Sequence, residues 1–216
     1  MAIASSTMLL HHPGKRDAFL DWFQMLSGII LVLFMWCHMI LVSSVVISTN
    51  LMDAIGWFFE ATYMVQIGGP ILFIIFIIHF ILAARKIPFT AKEQSIICEH
   101  AKMLKHKDTN LWLVQAVTAM IVLVMGGIHM WVVLNDLPIT AAKSAARVAS
   151  GGWTIFYLVL LPVIELHVSI GFYRILVKWG FIKTDTRPKA KKAELYMFGI
   201  FMVIGLLTII RFLTLA

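Results

Sequence analysis

The sequence predicts an all-α integral membrane bundle of five transmembrane helices with a short cytoplasmic interfacial helix. The first ground is composition. Of 216 residues, 61% are hydrophobic and 13% are charged, and the mean hydropathy is +0.91. A soluble domain carries about 25% charged residues, so a water-soluble globule is excluded, and so is a disordered chain, which would be polar. The second ground is that the apolar residues fall into five runs, each near the roughly 20 residues a spanning helix needs. The third is that the runs are apolar all round, whereas barrel strands alternate with period two. Only helices and closed barrels satisfy their backbone in lipid.

The expected spans run from about Trp22 to Ile47, Ala61 to Ala84, Leu111 to Leu134, Val148 to Tyr173 and Leu195 to Ile210. Residues 1–216 read as a single domain. The first span carries no charge, and the fourth carries only Glu165. Between the second and third spans, Thr90-Ala91-Lys92-Glu93 is a capping-box pattern. Ile96, Ile97, His100, Met103 and Leu104 follow at mixed helical spacing, which predicts the interfacial helix. Asp108-Thr109-Asn110 offers capping residues where the third span begins. The first twenty residues hold His11, His12, Lys15, Arg16 and Asp17 and no long apolar stretch, unlike a cleavable signal peptide.

Charge sets the expected orientation. There are 18 Lys+Arg against 11 Asp+Glu, and the basic residues flank the apolar runs. That pattern is topological and lipid-facing and excludes a nucleic-acid reading. Lys15 and Arg16 precede the first span. Six lysines and arginines from Arg85 to Lys107 separate the second from the third, and seven from Arg174 to Lys192 separate the fourth from the fifth. The loop from Ser43 to Tyr63 has Asp53 and Glu60 but no cation, and the loop after the third span has only Lys143 and Arg147. The positive-inside rule then places the N-terminus in the cytoplasm and the C-terminus outside.

Eight histidines occur, and His38, His79, His129 and His167 each lie inside a different span. An ionisable residue in a membrane is costly and faces the bundle interior. Helical rise gives their depths. His38 lies roughly 25 Å and His129 roughly 28 Å from the cytoplasmic ends of their helices. His79 lies roughly 9 Å and His167 roughly 16 Å from theirs. They form an outer pair, His38 with His129, and an inner pair, His79 with His167. Paired imidazoles suit a haem iron approached from opposite faces, and six-coordinate iron favours electron transfer. Zinc is the rival, but it would want its ligands in one tetrahedral cluster. Hydrogen-bonded packing is the plain alternative for any one histidine. Gly126, Ala83 and Gly171 share helix faces with the histidines and would admit a flat ring, or else serve ordinary helix packing. No C-x-x-C-H occurs, so covalent haem attachment is not indicated. Cys37 and Cys98 read as unpaired packing residues, and the thirteen methionines as lipid-facing or gap-filling. His11, His12 and His100 read as surface residues.

At these residues the chain resembles the di-haem cytochrome b subunit of menaquinol:fumarate reductases, in the succinate:quinone oxidoreductase superfamily. The resemblance extends from about Asp21 to Leu207. It rests on Asp21-Trp22-Phe23-Gln24, Phe34-Met35 through His38-Met39, Phe59-Glu60 ahead of Gly68-Gly69-Pro70, and Arg85-Lys86-Ile87-Pro88. It continues in His106-Lys107-Asp108-Thr109, Leu111-Trp112, Glu165-Leu166-His167 and Val177-Lys178-Trp179-Gly180.

The resemblance implies two b haems on the four paired histidines and menaquinol as substrate at the outer face. It implies a flavoprotein subunit that reduces fumarate, and an iron–sulfur subunit docked on the cytoplasmic face of a bacterial inner membrane. It suggests a dimer of heterotrimers. Electrons would run from quinol through the haems to those partners, and the dicarboxylate active site would lie outside this chain. Glu60 matches the quinol-site glutamate that accepts protons, the alternative being a solvated loop acid. Gln24, His106, Trp112 and Lys178 match the propionate partners of the inner haem, although Lys178 also suits a positive-inside anchor. Met25 stands where the family has a serine. Arg147 matches an arginine near the outer haem. Glu165 matches a glutamate of a transmembrane proton path. Two residues before His167, it points away from the ligand face. The alternative is an acid bonding a carbonyl freed by Pro162. Three further functions fit the spans: a succinate:quinone reductase running in reverse, a haem b subunit of another membrane oxidoreductase such as a hydrogenase, and a transporter with histidines in a proton path. A transporter should show internal repeats and broken spans.

Overall fold

In a computed structural model, residues 14–216 are described. His11 and His12 lie outside them. Eight α-helices follow one another: α1 (Lys15–Ser43), α2 (Thr49–Ala61), α3 (Gly69–Ala84), α4 (Ala91–Leu104), α5 (Lys107–Leu134), α6 (Ala141–Ala149), α7 (Trp153–Lys178) and α8 (Arg187–Leu215). There is no strand among the described residues. Among the described residues, five helices are long and apolar enough to cross a membrane: α1, α3 with its lead-in, α5, α7 and α8.

Local chemistry accounts for the boundaries. At the start of α1, Gly14 N–H donates to Asp17 Oδ2 at 3.3 Å, and a 3-10 turn extends the helix to Val46. The Ser48 side chain accepts from Asn50 N–H and starts α2. At the end of α2, Tyr63 adopts φ 57. A π turn, Met64–Gly68, then leads into α3, whose first turn holds Pro70, a residue suited to that position. The expected second span is therefore broken at its outer start. Thr90 and Glu93 cap α4 reciprocally, as their spacing predicts. Thr140 accepts from Lys143 N–H and starts α6. Pro162 lies inside α7.

Two elements correct the sequence reading. The stretches read as outer loops contain the helices α2 and α6, so this end of the bundle is built rather than looped. Asp53, Gly56 and Glu60 share one face of α2, at intervals of three and four residues. Asp53 Oδ1 accepts from Ala141 N–H at 2.6 Å, and Glu60 accepts from Ile139 N–H. A Cβ on Gly56 would lie 2.7 Å from Ile139 O, so only glycine lets the two backbones approach. This fastening seats α6 on α2. The buried apolar cluster lies here, in Leu41, Val45, Met52, Ala141, Ala145, Val148, Leu161, Ile209 and Phe212.

The opposite, basic end is held by two carboxylates. Asp21 of α1 pairs with Lys86 at 2.7 Å, Arg85 at 3.1 Å and Lys178 at 3.2 Å. Asp108 of α5 pairs with Lys191 at 2.5 Å and Arg187 at 3.6 Å, both on α8. Each ties together helices far apart in sequence. Between the two ends the spanning helices pack in a ring, α1 on α3, α3 on α5, α5 on α7, α7 on α8 and α8 back on α1. Their outward surfaces expose Ile40, Ile74, Val117, Ile155 and Ile200, as lipid contact requires. Cys37 and Cys98 are free and exposed, Cys37 bordering the central cavity, and His100 is exposed.

Candidate functional site

The middle of the bundle is hollow. A cavity of about 950 Å3 runs from Lys86 and Lys178 at the basic end to Pro138 and Arg147 at the other. All four span histidines line it. They come from α1, α3, α5 and α7, one each, and α8 contributes none.

The outer pair is direct. The His38 and His129 ring centroids are 5.8 Å apart, and the rings meet at 66°. His129 Nδ1 lies 3.3 Å from the Tyr157 hydroxyl. Phe34, one turn before His38 on α1, stacks on its ring at 5.8 Å. Arg147 borders the cavity and pairs with Asp136, which Lys143 also holds at 3.0 Å. Hydrogen bonds from Lys143 and Arg147 keep the Asp136 carboxyl below the usual carboxylate range.

The inner pair is held by hydroxyls. Ser27 Oγ lies 2.8 Å from Phe23 O, 3.0 Å from Gln24 O and 3.0 Å from His79 Nδ1. Thr118 Oγ1 repeats the arrangement on α5, 2.8 Å from Val114 O, 3.1 Å from Gln115 O and 3.2 Å from His167 Nδ1. Each hydroxyl proton goes to a helix carbonyl three or four residues back, so each hydroxyl oxygen accepts from the imidazole Nδ1–H. That places the proton on Nδ1 and leaves the Nε2 lone pair free, the tautomer a metal ligand needs.

Haem fits these residues on three observations. Two rings each about 2 Å from a shared metal have centroids roughly 6 Å apart, close to the outer pair's separation. Both inner histidines are held with Nε2 available. The walls are thin where a flat ring must pass: Gly28, Ala83, Gly126 and Gly171 line the cavity, and a Cβ on Gly28 would lie 3.1 Å from His79 Cε1. No group of three or more His, Cys, Asp or Glu side chains able to hold a metal occurs among the described residues, which disfavours tetrahedral zinc.

Of the other expected residues, Gln24, Trp112, Lys178 and Arg147 line the cavity. Lys178 is already paired with Asp21. His106 does not join them; it is the exposed N-cap residue of α5. Glu60 accepts from Ile139 N–H at the end of the bundle opposite the basic one, while its neighbour Phe59 lines the cavity. Glu165 is 1% exposed, lies off the cavity lining, and its Oε1 has no hydrogen-bond partner. Sequence reasoning missed Ser27, Thr118, Tyr157 and Gly28. It also missed Gln115, whose Oε1 accepts from Arg174 at 2.5 Å across the cavity's basic end. The available signal was the pair of hydroxyl residues inside otherwise apolar runs.

Residues 91–208 match the family described as the succinate dehydrogenase/fumarate reductase transmembrane subunit. A fumarate reductase cytochrome b subunit of Helicobacter pylori is 35% identical over 198 residues, covering 88% of this chain and 78% of its own. That of Wolinella succinogenes is 35% identical over 208 residues, covering 90% and 81%. The chain belongs to the succinate dehydrogenase/fumarate reductase transmembrane subunit family. The family match takes in α4 to most of α8, with His129 and His167. The similarity to the two cytochrome b subunits extends over about nine-tenths of the chain. The family's transmembrane character agrees with five helices of spanning length and composition, and the chain is a multi-pass membrane protein.

Proposed function

We propose that this chain is the cytochrome b membrane anchor and electron-transfer subunit of a menaquinol:fumarate reductase. The observation that carries the reading is the set of four histidines, one per helix, facing one cavity in two pairs at two depths. The family and its relatives' shared description supply the enzyme class. On this reading, residues 1–216 form one cytochrome b domain. His38 and His129 hold an outer b haem, and His79 and His167 an inner one. Haem held by these residues would supply one-electron carriage.

The chain's own residues do the rest. Ser27 and Thr118 fix the inner imidazoles, and Tyr157 orients His129. Gln24, Trp112 and Lys178 at the basic end receive the inner propionates. Arg147, pinned by Asp136, places a cation beside the outer haem. Glu60 accepts protons from menaquinol at the outer end. Glu165 relays protons inward and offsets the charge that electrons carry across the membrane; an intramembrane acid is functional by default. The basic end faces the cytoplasm of a bacterial inner membrane, and there an iron–sulfur subunit and a flavoprotein subunit dock. No dicarboxylate site belongs to this chain, and the assembly is a dimer of heterotrimers.

The test is menaquinol-driven fumarate reduction by the purified complex, with reduced-minus-oxidised spectra. A b-type α-band and fumarate turnover are expected. No α-band removes the haem assignment. Faster succinate-driven quinone reduction than the reverse reassigns the direction, and co-purification with a hydrogenase reassigns the partner. Glu165→Gln with haems intact should slow quinol-linked turnover; an unchanged rate removes the relay.

A further inference from the structure

A second cavity, of about 300 Å3, lies where the end of α4 meets the start of α5. Cys98, Ala101, Lys102 and Lys105 line it from one side, and Asn110 and Leu113 from the other. Cys98, Ala101 and Lys102 stand at i, i+3 and i+4, one face of α4. Lys105 follows as the C-cap residue at φ 47, and its N–H donates to Ala101 O at 3.1 Å. Ala101 is the buried wall, while both lysines and Asn110 are exposed. No acid lines the cavity. Lys86, Lys178 and Lys191, at the same end of the bundle, are each paired with Asp21 or Asp108. Lys102 and Lys105 have no ion-pair partner among the described residues. Two unneutralised ammonium groups and a side-chain amide that can donate thus share one small cavity.

The cavity leads onto an apolar track. From Leu113 the same face of α5 continues through Val117, Met120, Val124, Ile128 and Trp131, at intervals of three and four residues. All five are exposed. Leu113 to Val124 covers about 16 Å of helix, about half of a roughly 30 Å hydrocarbon core, which is the depth of one leaflet. Trp131 ends the track near the opposite interface, where tryptophans gather. The surface therefore has the outline of one phospholipid, a cationic seat above a track one acyl chain long. The helix α4 packs extensively against no spanning helix, so the space between it and α5 is open to such an occupant.

We propose that the α4–α5 junction is a binding site for an anionic phospholipid, with its phosphodiester on Lys102, Lys105 and Asn110 and one acyl chain along Leu113, Val117, Met120 and Val124. The track accepts any phospholipid, because all have acyl chains. The lysines supply the choice. An anionic headgroup neutralises them, whereas a zwitterionic one brings its own ammonium group and gains less. Basic pockets beside spanning helices on the cytoplasmic side suit such headgroups, and each lysine is worth about fivefold in preference. The lipid fastens α4 to α5 from below, a task that no side chain of the spanning helices performs. The site is independent of the haem and quinol roles proposed above.

The test uses the intact complex in phosphatidylcholine vesicles. These carry a trace of either phosphatidylglycerol or phosphatidylcholine with a photoreactive group on the acyl chain. After illumination, mass spectrometry reads the yield of lipid on the peptide that holds Val117, Met120 and Val124. The phosphatidylglycerol probe should label it at least tenfold more than the phosphatidylcholine probe. Lys102→Gln and Lys105→Asn should each lower that preference about fivefold; asparagine tolerates the left-handed backbone at position 105. Lys102→Arg, which keeps the charge, should retain the preference. Lys92→Gln/Lys189→Gln removes two charges away from the cavity and should leave it unchanged. Equal labelling by the two probes would overturn the site, because the track would then be ordinary lipid contact. An equal fall in the Lys92→Gln/Lys189→Gln variant would overturn it too, because general surface charge would explain the preference. So would protection of Lys102 and Lys105 from amine acylation by a docked subunit in lipid-free detergent, which would give the cavity to a protein.

Discussion

The two histidine pairs are built differently. The inner rings are each held by a hydroxyl that is itself anchored to its own helix, Ser27 on α1 and Thr118 on α5. The support comes from short side chains with one usable geometry. The outer rings rest on each other, on Phe34 and on the longer Tyr157. Their surroundings depend on a remote fastening, in which α2 grips the backbone of Ile139 and Ala141 and Asp136 grips Arg147. The inner pair is thus fixed by local helix chemistry, and the outer pair by tertiary assembly of two short helices. Damage at the inner pair should stay local, whereas the outer pair should respond to changes at a distance.

The largest expected effect tests the pairing itself. His167→Leu should remove one b haem and leave the other, read as haem content and α-band amplitude per chain. His38→Leu should do the same at the other depth, and the double variant His38→Leu/His129→Leu should lose no more haem than His38→Leu alone. Greater loss in the double variant would mean that these two histidines do not share an iron.

The next effect separates the supports. Thr118→Val and Ser27→Ala remove the bond to Nδ1, a change that typically costs 10–100-fold in metal affinity or activity. Tyr157→Phe removes a 3.3 Å contact and should cost about 1 kcal/mol or less. Haem retention under competition by apo-haem-binding protein measures both. Equal losses would erase the distinction between the pairs.

The smallest effect is a response to acid. Asp136, held below the usual carboxylate range by Lys143 and Arg147, has a lower pKa folded than unfolded. Its contribution is therefore complete above the unfolded value of about 3.9, and it fades as pH falls through the lower folded value. Amide exchange in α6, corrected for intrinsic rate, should rise in that window. Asp136→Asn should abolish the pH dependence, while exchange near Thr118 should not follow it.

Much of this was legible in the sequence, for physical reasons. Long uncharged runs have one stable form in lipid, so five spans could be read directly. A constant helical rise turned residue number into depth, so the histidines could be paired before any contact was known. The helices α2 and α6 escaped because they lie between spans and lack long apolar runs, although Ser48 and Thr140 were cap signals in plain view. The break at Tyr63 escaped because a left-handed tyrosine has no sequence signature. Ser27 and Thr118 escaped as partners because they sit 52 and 49 residues from His79 and His167, a relation set only by packing. His106 was expected at the cavity, but it stands exposed at the N-cap position of α5.

The most direct test of the account is haem quantitation on the purified complex, paired with low-temperature electron paramagnetic resonance. The account predicts two b haems per chain, both low-spin with bis-imidazole ligation, and the loss of one with each histidine pair. A single haem, or a high-spin centre that persists in His79→Leu and His167→Leu, would contradict it.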